Sequence, residues 1–205
     1  QTCCGQPLLN SGYQADARAL AKRFIETFEP AEYVVTPSGS CALVVKHDYV
    51  NLFADDAEWR GRAEKLAERT FEFTSFLVNR LKVRDVNATF NAQATYHDSC
   101  HLNRGLGVHD EPRELLRHVR GLSLTEMENA GTCCGFGGSF AVRYPGISTA
   151  MLDDKVKWIE NTGAQVLVVG DAGCSMQLAG ALARRAGKVR VMHVAQVLDE
   201  GMRKA

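Results

Sequence analysis

Two Cys-Cys-Gly tripeptides give this sequence its clearest capacity for chemistry. The first is Cys3-Cys4-Gly5 and the second is Cys133-Cys134-Gly135. A helix-sized stretch follows each pair and leads to a single cysteine in a small-residue turn, at Cys41 and at Cys174. Two copies of one cysteine arrangement predict a repeated module that holds a metal centre through sulfur.

Cys100 gives the second copy one thiol more than the first. The long gaps between these cysteines differ from the short C-x-x-C knuckles of zinc fingers, and they suit ligands delivered by successive loops of an α/β domain. Thiolates can hold either an iron–sulfur cluster or a zinc ion. Because adjacent cysteines do not easily chelate one small ion, the pairs favour a cluster, and zinc is the alternative.

Glycine and histidine residues close to the second cysteine pair are candidate contacts of the bound group. Gly135, Gly137 and Gly138 allow close backbone approach, so their N–H groups are expected to donate to cluster sulfur, although a simple flexible turn also accounts for them. His97 and His101 lie on either side of Cys100. We expect one of them to form a hydrogen bond near the cluster, with direct metal ligation as the alternative.

The overall composition excludes several classes of protein. The 24 basic and 24 acidic residues cancel, so the charge gives no case for binding nucleic acid or an anionic membrane surface. No apolar run approaches the roughly 20 residues of a transmembrane helix, and no signal peptide is evident, which together predict a cytoplasmic protein. Seven cysteines in such a compartment indicate metal binding or redox chemistry rather than a disulfide scaffold.

The elements that must position the cysteines occur in the same order in both copies. A helical pattern follows each pair, and a short apolar strand, at 33–36 and at 166–169, then runs into the turn that carries the single cysteine. Alternation over 86–96 predicts a hairpin, and the charged residues at 153–157 are interpreted as a solvated helix face. Strands that alternate with helices predict parallel α/β sheets, whose carboxyl-terminal edges collect ligands.

These patterns predict two similar Rossmann-like modules with cysteine loops at the carboxyl ends of the strands. We place the first module at residues 1–85 and the second at residues 86–205. Because the chain begins at Gln1, directly before the first cysteine pair, we expect the first module to be truncated at its N-terminus.

Five short motifs carry a resemblance to a known family. The sequence is similar to the lactate utilization protein A family, and more distantly to the cysteine-rich domains of heterodisulfide reductase and of the iron–sulfur subunit of glycolate oxidase. The motifs are residues 2–7 (TCCGQP), 10–13 (NSGY), 37–41 (PSGSC), 96–102 (YHDSCHL) and 131–138 (GTCCGFGG). The similarity covers essentially the whole chain.

The resemblance implies an iron–sulfur oxidoreductase subunit, with a [4Fe–4S] cluster, that passes electrons with partner subunits during oxidation of L-lactate to pyruvate. It implies two ligand sets. The second thiol set is complete and consists of Cys100, Cys133, Cys134 and Cys174, whereas the first thiol set is incomplete and consists of Cys3, Cys4 and Cys41. Two alternatives stay open at this point, a zinc-binding structural or assembly module and a thiol–disulfide oxidoreductase.

Overall fold

The computed structural model describes residues 3–185 and 189–203, so Thr2 of the first motif lies outside the described residues. It confirms the predicted α/β class, with helices that alternate along the chain with the strands of two parallel sheets. The chain folds as two compact units, Gln1–Phe73 and Thr74–Ala205. The module boundary at residues 85/86 stays a prediction, because the modules are defined by the repeat in the sequence and not by compactness.

The first unit is built around one pair of parallel strands, β1 (Val34–Thr36) and β2 (Thr70–Glu72). Its helices are α1 (Gln6–Asn10), α2 (Gln14–Phe28), α3 (Gly39–Leu43), α4 (Tyr49–Leu52) and α5 (Ala57–Glu68). A π-helical turn at Val44–Asp48 joins α3 to α4, and the short helix α6 (Phe73–Ser75) follows β2.

The second unit contains a four-stranded parallel sheet in the order β4-β3-β5-β6. Its strands are β3 (Thr89–His97), β4 (Arg120–Leu124), β5 (Val166–Val169) and β6 (Arg190–His193). The helices are α7 (Asp110–Arg117), α8 (Ser139–Arg143), α9 (Pro145–Asn161), α10 (Ala172–Arg184) and α11 (Val194–Met202), with π-helical turns at Phe76–Arg80 and His101–Leu106.

The predicted hairpin at 86–96 is wrong. This segment contributes one long strand, β3, which pairs in parallel with β4 on one edge and with β5 on the other. Both edges are therefore occupied, and the last three residues of the strand, Thr95, Tyr96 and His97, are all fully buried. The alternation of the sequence thus reflects a central strand whose partners are distant in the chain.

The second cysteine of each pair belongs to a hydrophobic core. Cys4 packs in a cluster with Ala17, Phe24 and Val34 of α2 and β1. Cys134 and Cys174 pack in a cluster formed mainly by α9, β5 and α10. All four residues of β5 are buried, as expected for an apolar strand inside a parallel sheet.

The structural repeat has one difference that matters for the sites. In both units a helix, a strand and a cysteine-bearing helix follow the pair, as α2-β1-α3 and as α9-β5-α10. Within the described residues, β1 pairs only with β2, whereas β5 pairs with both β3 and β6. In the part of the chain that the structure describes, β5 of the second copy thus has a neighbouring strand, β3, that leads directly to a further cysteine, Cys100. Among the helices described, none has the length and apolar character needed to cross a membrane.

Candidate metal centre

The second thiol set comes together at the carboxyl-terminal edge of the four-stranded sheet. Cys100 follows β3, the Cys133–Cys134 pair follows β4, and Cys174 lies in the first turn of α10 after β5. The Sγ atoms of Cys134 and Cys174 are 3.4 Å apart. Cys133 interacts electrostatically with both Cys100 and Cys134. Thiols from three segments that are distant in the sequence thus form one connected group.

Interactions among these thiols shift their pKa values in opposite directions. The interaction with Cys133, together with burial, raises the pKa of Cys100. Donation to Cys174, the neighbouring Cys133 and burial raise the pKa of Cys134. Interactions with Cys100 and Cys134 hold the pKa of Cys133 far below the ordinary thiol value. Donation from Cys134 lowers the pKa of Cys174 to about 6, against the effect of burial. The group therefore favours thiolates at two positions, the form in which cysteine binds metals.

His97 is the histidine that lies within this group. It is fully buried at the end of β3, and one of its ring nitrogens lies within 4.8 Å of the Sγ atoms of both Cys134 and Cys174. Its ring helps to lower the pKa of Cys174, but neither ring nitrogen has a well-formed hydrogen bond among the described residues, which is unusual for a buried polar atom. His101 is half-buried, and its Nδ1 lies 3.8 Å from the Sγ atom of Cys100.

Gly135 determines the backbone conformation directly after the second cysteine pair. Its φ of +82° is in the left-handed region, and its N–H donates to the Sγ atom of Cys133 over 3.4 Å. A Cβ atom at this position would lie 2.6 Å from the carbonyl oxygen of Ser148 in α9, so only glycine fits. Gly137 and Gly138 continue the loop into α8, and within the described residues no hydrogen bond joins either of them to sulfur.

The first thiol set repeats this local geometry with three cysteines. The Sγ atoms of Cys4 and Cys41 lie 3.5 Å apart, and the N–H group of Gly5 donates to the Sγ atom of Cys3 over 3.4 Å. The hydrogen bond to Cys41 and burial together raise the pKa of Cys4. The buried Tyr49 hydroxyl donates to the carbonyl oxygen of Cys4 over 2.7 Å, which fixes the backbone of the pair. Cys3 itself is exposed.

A buried ion-pair network that sequence reasoning missed connects two cysteine loops. Arg113 of α7 is 3 % exposed and donates two hydrogen bonds of 2.8 Å to Asp98, which lies just before Cys100. It donates two more, of 2.6 and 2.8 Å, to Glu126, which lies between β4 and Cys133. Bidentate arginine–carboxylate pairs are strongly directional, so Arg113 fixes the two loops relative to each other.

The interpretation of residues 153–157 as a solvated helix face is wrong for Lys155. This side chain is fully buried, whereas Lys157 on the same helix is exposed. Helix α9 packs onto the sheet through Leu152, Val156 and Ile159, and this orientation carries Lys155 into the interior. The charge pattern alone gave no sign of its position.

The donors of the second thiol set fit a metal group held by sulfur. Thiolate ligands are soft donors that select iron–sulfur clusters, zinc or copper(I). Cys134 and Cys174 are buried, Cys100 and Cys133 are half-buried, and the buried nitrogen atoms of His97 have no well-formed hydrogen bond within the described part of the chain. Both kinds of centre predicted from the sequence, an iron–sulfur cluster and zinc, suit these residues.

Comparison with known proteins points to one family. The sequence model of a cysteine-rich domain family, CCG, matches residues 1–46 and 94–179, which include all seven cysteines. The chain is 52% identical over 199 residues to "Lactate utilization protein A" of Bacillus subtilis strain 168, covering 97% of this chain and 83% of the relative. It is 50% identical over 207 residues to the protein of that name from an Exiguobacterium species, covering 100% and 84%. With the protein of that name from Halalkalibacterium halodurans it is 50% identical over 199 residues, covering 97% and 81%.

Proposed function

The chain belongs to the CCG cysteine-rich family, together with proteins named lactate utilization protein A, and we propose that it is an iron–sulfur electron-transfer subunit of a system that oxidises L-lactate to pyruvate. The observation that carries this proposal is the convergence of four thiols and His97 at one sheet edge. The glycine-rich segment at 135–139 does not match a nucleotide-binding loop, and clustered thiols of this kind are typical of a metal centre.

The proposed ligands of the principal centre are Cys100, Cys133, Cys134 and Cys174. Four cysteine thiolates match the usual ligand number of a [4Fe–4S] cluster, which supplies one-electron transfer when bound. We assign a second centre to Cys3, Cys4 and Cys41, which are assembled in the same local geometry.

Unequal burial of the cysteines controls how water and partner proteins reach such a centre. Cys134 and Cys174 lie in the hydrophobic core, which excludes water from one side of the site. Cys133 is half-buried, so the other side is accessible for exchange of electrons with a partner. We assign the oxidation of lactate to partner subunits, and we place the protein in the cytoplasm, where thiols stay reduced.

One observation favours a zinc site as the second candidate. The ligand atoms of His97, Cys134 and Cys174 all lie within 4.8 Å of one another, as in a compact site for a single ion. Zinc is commonly held by such mixed cysteine and histidine ligands, and it would make this centre structural and redox-inert.

Anaerobic purification followed by iron, acid-labile sulfide and zinc analysis separates the two candidates. We expect iron and sulfide in similar amounts, with a chromophore that dithionite bleaches. A colourless protein that holds only zinc would contradict the iron–sulfur proposal.

The role in lactate oxidation is tested by growth on L-lactate of a strain that lacks the gene. The intact gene should restore growth and a Cys134→Ser version should not, with growth on glucose as the control.

A further inference from the structure

Lys155 places a buried positive charge against the loop that leads to the second cysteine pair. Its Nζ atom donates to the carbonyl oxygen of Asn129 over 2.7 Å and to that of Ala130 over 3.1 Å. Both carbonyls belong to the loop that leads from β4 to the Cys133–Cys134 pair. The side chain also approaches the ring of Trp158, with Nζ 5.3 Å from the ring centroid.

The ammonium group of Lys155 forms no ion pair with a carboxylate among the described residues. Two neutral carbonyls satisfy part of its hydrogen bonding, but they do not cancel its charge. A fully buried charge is costly unless an opposite charge lies nearby. Burial lowers the pKa of Lys155 to about 8, and attraction to Cys134, Asp98, Cys133 and Cys174 opposes that shift. Asp98 is already bound by Arg113, which leaves the thiolates as the available negative charge.

The corresponding position of the first module carries no charge. Gly5 lies opposite the backbone of Ala17, as Gly135 lies opposite the backbone of Ser148, and this matches α2 to α9. Seven residues further along each helix stand Phe24 and Lys155, and both are buried. Phe24 lines an apolar cavity together with Cys4 and Cys41. Of the two described helices, α9 is therefore the one that carries a buried positive charge at this position, next to the second thiol set.

We propose that Lys155 is the buried counter-cation of the second metal centre, and that its charge strengthens metal binding by the thiolates and raises the reduction potential of a redox-active group held there. The proposal rests on the part of the proposed function that places a metal on Cys100, Cys133, Cys134 and Cys174. A metal ion bound by four thiolates carries net negative charge, and a cluster becomes more negative on reduction. A nearby ammonium group in a low-dielectric interior stabilises the negatively charged metal–thiolate group. It stabilises the reduced cluster more than the oxidised one, because the reduced cluster is more negative.

The test compares three variants of Lys155 and its neighbour in a chain whose first thiol set is replaced by serine. Lys155→Gln keeps N–H donors without the charge, and Lys155→Arg keeps the charge. Lys157→Gln removes an exposed lysine of the same helix and is the matched control. Anaerobic titration with Co²⁺, followed by competition with Zn²⁺, gives the affinity, and the Co²⁺ absorption spectrum reports the number of thiolate ligands.

We expect Lys155→Gln to weaken metal binding about tenfold with an unchanged Co²⁺ spectrum, Lys155→Arg to restore most of the affinity, and Lys157→Gln to behave as the parent chain. In the iron-loaded chain, Lys155→Gln should shift the equilibrium between the oxidised and reduced cluster about tenfold toward the oxidised form. This corresponds to a reduction potential lower by about 59 mV for one electron. Unchanged affinity in Lys155→Gln would overturn the proposal. Equal losses in the Gln and Arg variants with an altered spectrum would also overturn it, because they would show a role in loop structure alone.

The two proposals fail in different ways. If the native chain holds zinc and no iron or sulfide, the electron-transfer function fails, but the Co²⁺ titration still tests the role of Lys155. If the chain holds a cluster whose potential and metal affinity are the same in Lys155→Gln, only the counter-cation proposal fails.

Discussion

The Sγ atom of Cys134 lies 3.4 Å from that of Cys174, although 40 positions separate the two residues in the chain. The fold creates this contact because β5 ends beside the Cys-Cys-Gly loop and α10 begins there. The first unit contains the same contact between Cys4 and Cys41, at 3.5 Å. Both units thus share one arrangement, in which a cysteine pair lies next to the helix that follows a parallel strand, at the edge of the sheet.

Loss of Cys100 should weaken metal binding by the second thiol set. In a Cys100→Ser chain this set keeps three cysteines, so its affinity for Co²⁺ should fall because one thiolate ligand is lost. We expect a fall of about tenfold or more, with fewer thiolate ligands in the Co²⁺ spectrum. Ser99→Ala, one position away, is the control. If Cys100→Ser bound Co²⁺ as tightly as the parent chain, Cys100 would not be a ligand.

Arg113 should be important for stability and for metal binding. Arg113→Met removes the bidentate partner of the buried Asp98 and leaves it the contact with His109 Nε2 at 3.3 Å, and breaking a buried pair of this kind costs about 3–5 kcal/mol. Urea unfolding under anaerobic conditions measures this loss. The control is Arg190→Met, which removes an exposed pair with Glu200 and should cost less than about 1 kcal/mol. Equal costs in the two variants would show that Arg113 has no special role between the cysteine loops.

Gly135 should tolerate alanine much less well than another glycine of similar conformation. Gly163 also has a positive φ, +66°, but a Cβ atom there meets nothing within 4 Å. Gly163→Ala should therefore cost only the left-handed backbone penalty of about 1–2 kcal/mol. Gly135→Ala adds a clash with the carbonyl oxygen of Ser148, so it should cost more and should also weaken metal binding. Thermal unfolding of both variants checks the difference, and similar losses would argue against the clash.

Metal affinity at the second thiol set should rise with pH. Interactions with neighbouring cysteines and burial raise the pKa values of Cys100 and Cys134, so both thiols are protonated in the metal-free protein at neutral pH. Metal binding must displace these protons, and protons compete less as the pH rises. The affinity for Zn²⁺ should increase by up to about tenfold per pH unit for each proton released. Competition titrations from about pH 6.5 to about pH 8.5 measure it, and an affinity independent of pH would contradict this scheme.

The sequence predicted those features that depend on local pattern. The apolar run at 166–169 is a strand because four consecutive buried side chains suit the interior of a parallel sheet, and the repeated order of elements placed the cysteines at strand ends. The hairpin at 86–96 failed because alternation does not reveal that a strand finds its partners in distant parts of the chain. Arg113 and Lys155 were missed for a related reason. Charged residues are usually exposed, and only the tertiary packing shows that these two are buried.

The most direct test is electron paramagnetic resonance of the dithionite-reduced protein, prepared without oxygen in two complementary variants. In the first variant Cys3, Cys4 and Cys41 are serine, and in the second Cys134 alone is serine. We predict that the first variant keeps iron, sulfide and the signal of a reduced iron–sulfur cluster, whereas the second loses the signal of that centre. A first variant that contains only zinc and gives no signal would contradict the assignment of a redox-active cluster to Cys100, Cys133, Cys134 and Cys174.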